Sequence, residues 1–155
     1  MKTEEQNKNT VSYVTPSPLQ LSLKTKWFEM TKSGIKTEDY REITPYWASR
    51  LFNKKDKGIN KWYWEGFLSR SGIDRSRHFR YYAFRNQEQI ENTIKSHGLK
   101  EFTYNIMTLG YPEKTDTERI LKIEHKGIEI RTGNPEWGAE PNKLYFVIKH
   151  GAIKN

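Results

Sequence analysis

Gly34, Lys36, Asp39 and Arg41 fall within eight residues of one another in the segment SGIKTEDYREITPYW, residues 33–47. A carboxylate and a guanidinium two residues apart on a strand share one face and can pair, because side chains alternate along a strand. On that spacing Thr37, Asp39 and Arg41 face one way, and Lys36, Glu38, Tyr40 and Glu42 the other. If the pair is buried, Arg41 keeps Asp39 ionised and oriented. Lys36 follows a helix-terminating glycine, so it can lean over the mouth of a pocket. There it would grip a phosphate or, once desolvated, lose its proton and serve as a base. Two readings of this polar strand stand side by side. It is a solvated edge whose charges serve solubility, or it is the floor of a polar site.

The elements around it are legible from pattern. LQLSLK (19–24) alternates Leu19, Leu21 and Leu23 and predicts a half-buried strand. Thr25 is placed to cap the helix that follows, with Gly34 past its end, and Trp27, Phe28 and Met30 read as its core face. KTEDYREI is the motif strand. Thr44-Pro45 starts a second helix that puts Trp47, Ala48, Leu51 and Phe52 on one side. A strand is expected over 79–85, a short helix over 87–98 and a strand over 101–110. Between Arg119 and Arg131 apolar residues sit at 121 and 123, then at 128 and 130. The slip at Lys126-Gly127 predicts a β-bulge in one long strand. TGNPEWGAEPNK reads as a rigid loop and LYFVIKH as the closing strand. The expectation is an α+β fold, a small bent sheet curling into a β-barrel with three or so short helices around it. Residues 1–17 are polar, with Pro16 near their end and Pro18 just past it, and are expected to form a flexible tail before a domain over 18–155.

Composition sets bounds on function. The 155-residue chain has no cysteine, so a disulfide framework and a thiolate metal site are both excluded. His78, His97, His125 and His150 lack the spacing of a metal set, and no P-loop, dinucleotide fingerprint or nucleophile elbow is present. The expectation is a site with no metal and no cofactor. No apolar run approaches the ~20 residues a membrane helix needs, and the N-terminus does not read as a signal peptide. These points predict a cytoplasmic protein without a membrane partner.

The formal charge of +8 is concentrated: from Ser49 to Arg85 ten Lys/Arg stand against three acids. The stretch 61–85 interleaves Lys61, Arg70, Arg75, Arg77, Arg80 and Arg85 with eight aromatic rings. Cations neutralise phosphates and flat rings stack unpaired bases, so this mixture suits nucleic acid. Most of these rings also read as core alternating with surface arginines, and for Phe79, Tyr81 and Phe84 core is the favoured reading. SRSGIDRSR (69–77) lacks a core pattern and reads as an exposed basic loop, which makes Arg70, Arg75 and Arg77 the phosphate-contact candidates. Arg85 ends a strand expected beside the motif strand. Trp137, in a Gly/Pro loop, would wall a base-sized pocket or plug the end of the barrel. A basic surface of this kind also fits an acidic protein partner.

Gly34, Lys36, Asp39 and Arg41 match the pattern G-x-K-x-x-E/D-x-R. With the YREI-x-PYW that follows and the C-terminal KGIEIRTGNPEWGAEPNKLYFVIK, the chain resembles the ASCH family, in particular small bacterial and phage ASCH proteins. The resemblance spans Leu19 to Gly151. It implies a PUA-like β-barrel and a polar pocket around the motif that binds RNA or a modified nucleotide, with Lys36, Thr37, Tyr40 and Arg41 as ligand contacts. Some small ASCH enzymes hydrolyse the amide of acetylated cytidine without a metal. By that resemblance Lys36 and Asp39 would be catalytic, although those enzymes have threonine where this chain has Asp39. Thr37 would then have to supply any hydroxyl nucleophile. Metal-independent RNA cleavage is a further activity that the resemblance implies.

Overall fold

A computed structural model of the chain describes residues 16–53, 74–75, 82–83, 88, 92, 95 and 98–155. Strand β1 (Leu19–Leu23) buries Leu19, Leu21 and Leu23 and leads into helix α1 (Thr25–Lys32). The expected cap is corrected by one residue. Lys24 is the N-cap, with its carbonyl accepting from Phe28 N at 3.0 Å and no side chain capping, and Thr25 is already helical. Lys24 precedes the helix in an extended conformation and cannot offer a short side-chain acceptor as Thr would. Gly34 ends the helix as the sequence predicts, at φ +84, where a side chain would be strained. The turn it makes lets Lys36 N bond Met30 O at 3.0 Å and brings the chain back beside the helix.

Strand β2 (Glu38–Glu42) carries the motif, and helix α2 (Pro45–Leu51) follows. Thr44 caps α2 by accepting from Trp47 N at 3.2 Å, and Pro45 occupies the first turn, where its missing N–H is not needed. Two-residue strands β3 (Asp74–Arg75) and β4 (Tyr82–Ala83) form a separate antiparallel pair. Of the strand expected over 79–85 beside the motif strand, the described part is corrected: Tyr82–Ala83 pairs with β3, and among the described residues β2 takes its only ladder from the C-terminal strand. Glu88, Asn92 and Lys95 are helical and exposed; the rest of the third helix expected over 87–98 lies outside the described residues or, at Gly98, is not helical. α1 and α2 are the two α-helices described throughout.

Strands β5 (Tyr104–Leu109), β6 (Ile120–Thr132) and β7 (Leu144–Ile153) complete a five-stranded sheet in the order β1-β5-β6-β7-β2. β1 runs parallel to β5 and the other pairings are antiparallel. The predicted bulge is present: β6 and β7 change register on both sides of His125, and Gly127 sits at φ +111. The sheet curls into a half-barrel with its edges, β1 and β2, facing one another across an open seam. The α+β class and a bent sheet of barrel-like curl are as expected, but the sheet is a half-barrel, with no ladder joining β1 to β2.

Register explains where the core stops. Residues opposite one another in adjacent strands share a face, so Ile130, Phe146 and Arg41 form one row across the concave side, and Ile128, Ile148 and Asp39 form the next. Phe28 of α1 and Ala48, Leu51 and Phe52 of α2 and its end cover these rows. Phe52 meets Phe146 edge to face, with ring centroids 5.6 Å apart. Each apolar row ends on a charged residue of β2.

The segment between β6 and β7 folds over the outer face of β2. Asn134 N donates to the Tyr40 hydroxyl and Glu140 N to that of Tyr145, both at 2.9 Å. Gly133 lies so close beneath Tyr40 that a Cβ there would stand 2.6 Å from Cε1 of the ring and 2.8 Å from Cβ of Ala139. Gly133→Ala should therefore destabilise the fold by about 1–3 kcal/mol through overpacking, read by urea denaturation. A variant as stable as the parent would show that the loop is not held tightly on Tyr40.

Candidate functional site

The five charges of the motif region are each bound in place, and the strand is not a solvated edge. Asp39 is only 5% exposed and Lys36 3%. Lys36 Nζ donates to Asp39 Oδ1 at 3.0 Å and to the carbonyl of Glu38 at 2.5 Å. Arg41 holds the other oxygen, Oδ2, with Nη2 at 2.7 Å and Nε at 2.8 Å. Glu38 pairs with Arg131 on the outer face and accepts from the Tyr40 hydroxyl at 2.7 Å. Glu42 pairs with Lys143 at 3.1 Å.

Two sequence expectations are corrected here. Lys36 does not share the face of Glu38 and Tyr40, because alternation begins only where the strand begins, at Glu38. Released by the turn at Gly34, it folds back onto Asp39. Nor does it lean over the mouth of the pocket as a free amine; it is buried as a hydrogen-bond donor. Thr37 is exposed, bonds through its backbone to His150 N at 3.0 Å, and does not line the recess described below.

Burial alone would raise the pKa of Asp39. The charges of Arg41 and Lys36, with the hydrogen bond from Lys36, outweigh it and hold the carboxyl below its ordinary value. Burial of Glu38 is likewise outweighed, by hydrogen bonds from Arg131 and Tyr40, and its carboxyl is also lowered. The Tyr40 hydroxyl is pushed up to about 12, chiefly by burial, so it remains a phenol that donates to Glu38.

The seam above this cluster holds a recess of about 360 Å³, within the range of small-ligand sites at roughly 300–1,000 Å³. Its floor is Lys36, Asp39 and Arg41; its walls include Trp27, Tyr40, Trp137 and Tyr145. Residues of both faces of β2 reach it, because it runs along the free edge of that strand. Trp137 thus stands where the sequence allowed, at a pocket wall. It is carried by a 3₁₀ turn over Pro135–Trp137, in which Asn134 Oδ1 accepts from Glu136 N at 2.9 Å. Gly138, at φ +100, packs this turn onto Trp27, whose ring a Cβ would meet at 2.9 Å. Trp27 was expected to be core; it is half-buried and shared between core and recess. Of the other predicted contacts, Arg70, Arg77 and Arg85 lie outside the described residues, and Arg75 is placed by its backbone alone, in β3.

One polar cluster has no counterpart in the sequence reading. His125 and His150 face each other across the bulge, and Asn105, fully buried, bridges them. Its Nδ2 lies 3.3 Å from the carbonyl of Lys149, which can only accept, and this fixes the amide orientation. Nδ2 therefore donates to Nδ1 of His150, and Oδ1 accepts from Nδ1 of His125, both at 2.7 Å. His150 is then neutral, with its proton on Nε2, a buried atom without a hydrogen-bond partner among the described residues. The only signal that could have paired these histidines is strand register, which no spacing in the sequence encodes. Among the described residues no three His, Cys, Asp or Glu side chains gather as a metal set, and no helix is long and apolar enough to cross a membrane.

Compared with known protein families, curated proteins and solved structures, the chain matches none of them.

Burial pushes His150 down to about 4, opposed by Asp39 and reinforced by Lys36 and His125. An unfolded histidine takes its proton near 6.5, so between those values the unfolded chain binds more protons than the folded one. Stability is then complete above about pH 6.5 and is lost as pH falls towards 4. Asp39, whose folded pKa is lowered, adds a loss at still lower pH. His150→Gln should flatten the fall in unfolding free energy between pH 6.5 and 4 by about 3 kcal/mol. Parallel pH profiles for variant and parent would contradict the burial of a neutral His150.

Proposed function

We propose that this chain is a nucleic-acid-binding module of the PUA-like, ASCH type, which holds an unpaired or modified nucleobase of RNA in the recess at the seam. The observation that carries this reading is the pairing of a directional polar floor with flat aromatic walls. Lys36, Asp39 and Arg41 offer fixed donors and an acceptor at the bottom, while Trp27, Trp137, Tyr40 and Tyr145 stand around them. A planar heterocycle satisfies both at once. It stacks on rings and hydrogen-bonds through its edge. The recess is balanced in charge, with Lys24, Lys36 and Arg41 against Asp39, Glu42 and Glu140. That balance suits an uncharged base over a phosphate. The ten basic residues between Ser49 and Arg85 supply the long-range attraction for the backbone.

The second reading is a metal-independent amidohydrolase acting on an acylated cytidine. The buried Lys36–Asp39 pair supports it, since a fixed ammonium beside a carboxylate can polarise an amide carbonyl and orient water. The exposed position of Thr37 weighs against a hydroxyl nucleophile from that residue.

Binding of a fluorescein-labelled single-stranded hexaribonucleotide, followed by anisotropy across salt concentrations, tests the first reading. The affinity should fall steeply with salt, with a log–log slope near −2 if about three phosphates are neutralised. Trp137→Ala should weaken binding by roughly fivefold or more through lost stacking. Absent or salt-independent binding would overturn the reading. Release of cytidine from N4-acetylcytidine by the parent protein, abolished in Lys36→Met, would decide for the hydrolase instead.

A further inference from the structure

On the other side of Arg41 the seam opens into a second groove, of about 470 Å³. Arg41 lines both spaces and divides them. The groove's character differs from that of the recess. It presents Arg41 and Arg50 with no acidic residue among its lining, whereas the recess has equal numbers of each sign. Two of the most exposed large hydrophobic side chains of the described residues stand in it, Tyr111 at 96% and Tyr46 at 52%. An exposed tyrosine on its own is ordinary. Two in one groove with two guanidiniums form a cationic, aromatic surface.

The groove is built, not incidental. Tyr111 projects from a turn that Gly110 makes at φ +66, and the turn is pinned to β1. Gly110 N donates to Leu23 O at 3.2 Å, and Gly110 O accepts from Ser22 Oγ at 3.2 Å and Thr108 Oγ1 at 2.8 Å. Across from it, Tyr46 and Trp47 meet edge to face at 5.2 Å in the first turn of α2. Arg41 and Arg50 both lie over the Trp47 ring, at 5.0 and 4.9 Å. Trp47 thereby serves as the platform that orients the two guanidiniums, and Tyr46 and Tyr111 keep exposed ring surface. Arg50 also donates to the carbonyl of Gln20 at 3.2 Å and lies 3.5 Å from the Tyr46 hydroxyl. These contacts use two of its five N–H donors among the described residues.

We infer that this groove is a second nucleotide subsite, in which Arg50 and Arg41 take a backbone phosphate and Tyr46 and Tyr111 stack the base next to the one in the recess. The inference rests on the nucleic-acid reading and deepens it: the ligand is a single strand of at least two consecutive nucleotides, crossing the seam over Arg41. Charge decides the division of labour. Arg41 is paired with Asp39 through Nε and Nη2 and presents Nη1, so the groove's surplus charge is that of Arg50, which has no acid in the lining. An anion is drawn there, and an uncharged base to the balanced recess. Tolerance of sequence follows in the groove, because stacking reads the flat face that every base has.

The test compares parent, Tyr46→Ala/Tyr111→Ala and Arg50→Gln for binding of fluorescein-labelled hexauridylate. Both tyrosines are exposed, so the double variant should keep the parent's thermal midpoint. It should bind hexauridylate roughly tenfold or more weakly, and Arg50→Gln should reduce the steepness of the salt dependence by about 0.7 in log–log slope. Parent-like affinity in the double variant, with the parent binding well, would overturn the second subsite and leave the recess reading standing. No binding by the parent would overturn both. Binding of a poly-glutamate peptide that the tyrosine substitutions abolish, with hexauridylate affinity unchanged, would overturn the subsite in favour of an acidic protein partner.

Discussion

The architecture depends on one buried carboxylate. Asp39 ends an apolar row of the concave face and is clasped on one oxygen by Lys36 and on the other by Arg41. Removing two cations and an anion from water costs several kcal/mol per ion before any attraction is counted. The cluster is therefore tolerated only because its donors and acceptors are matched. Each partner also has a second anchor: Lys36 on the carbonyl of Glu38, and Arg41 on the carbonyl of Ser22 at 3.1 Å. The last bond matters most for the fold. It reaches from one edge of the sheet to the other, and Arg50 repeats the device two residues along β1 at Gln20. Side chains thus span a seam that no ladder closes, and they cover the exposed carbonyls that would otherwise make β1 a template for aggregation.

A seam bridged in this way leaves space on both sides of the bridge. That space is polar at its floor because the charges are there, and aromatic at its walls because β2, α1 and the loop over 133–143 each bring rings to the same edge. A closed ladder between β1 and β2 would have filled the position with backbone. The open half-barrel and the candidate site are two consequences of one arrangement.

Much of this was legible in the sequence. The alternation of Leu19, Leu21 and Leu23, the Thr44-Pro45 start, the terminating Gly34 and the phase slip at Gly127 each reflect a local rule, and each is found in place. The pairing of Asp39 with Arg41 follows from spacing alone. What could not be read there is non-local. Lys36 joins Asp39 because the turn after α1 ends short of the strand. Trp27 reaches the recess because Gly138, more than a hundred residues later, packs against it. Asn105, His125 and His150 come together only through register across three strands. The pairing of Tyr82–Ala83 with β3 rather than β2 was hidden for the same reason: strand order is set by the whole sheet, and these residues carry no mark of it.

The most direct measurement is a carbon-detected NMR titration of the Asp39 side-chain carboxyl in the folded protein. Held between Lys36 and Arg41, its resonance should keep the position of a carboxylate at pH values where a free aspartate is already half protonated, with a midpoint below the ordinary one. A midpoint at or above the ordinary aspartate value would mean that burial outweighs the two cations, and the account of a clasped, ionised carboxylate spanning the seam would be wrong.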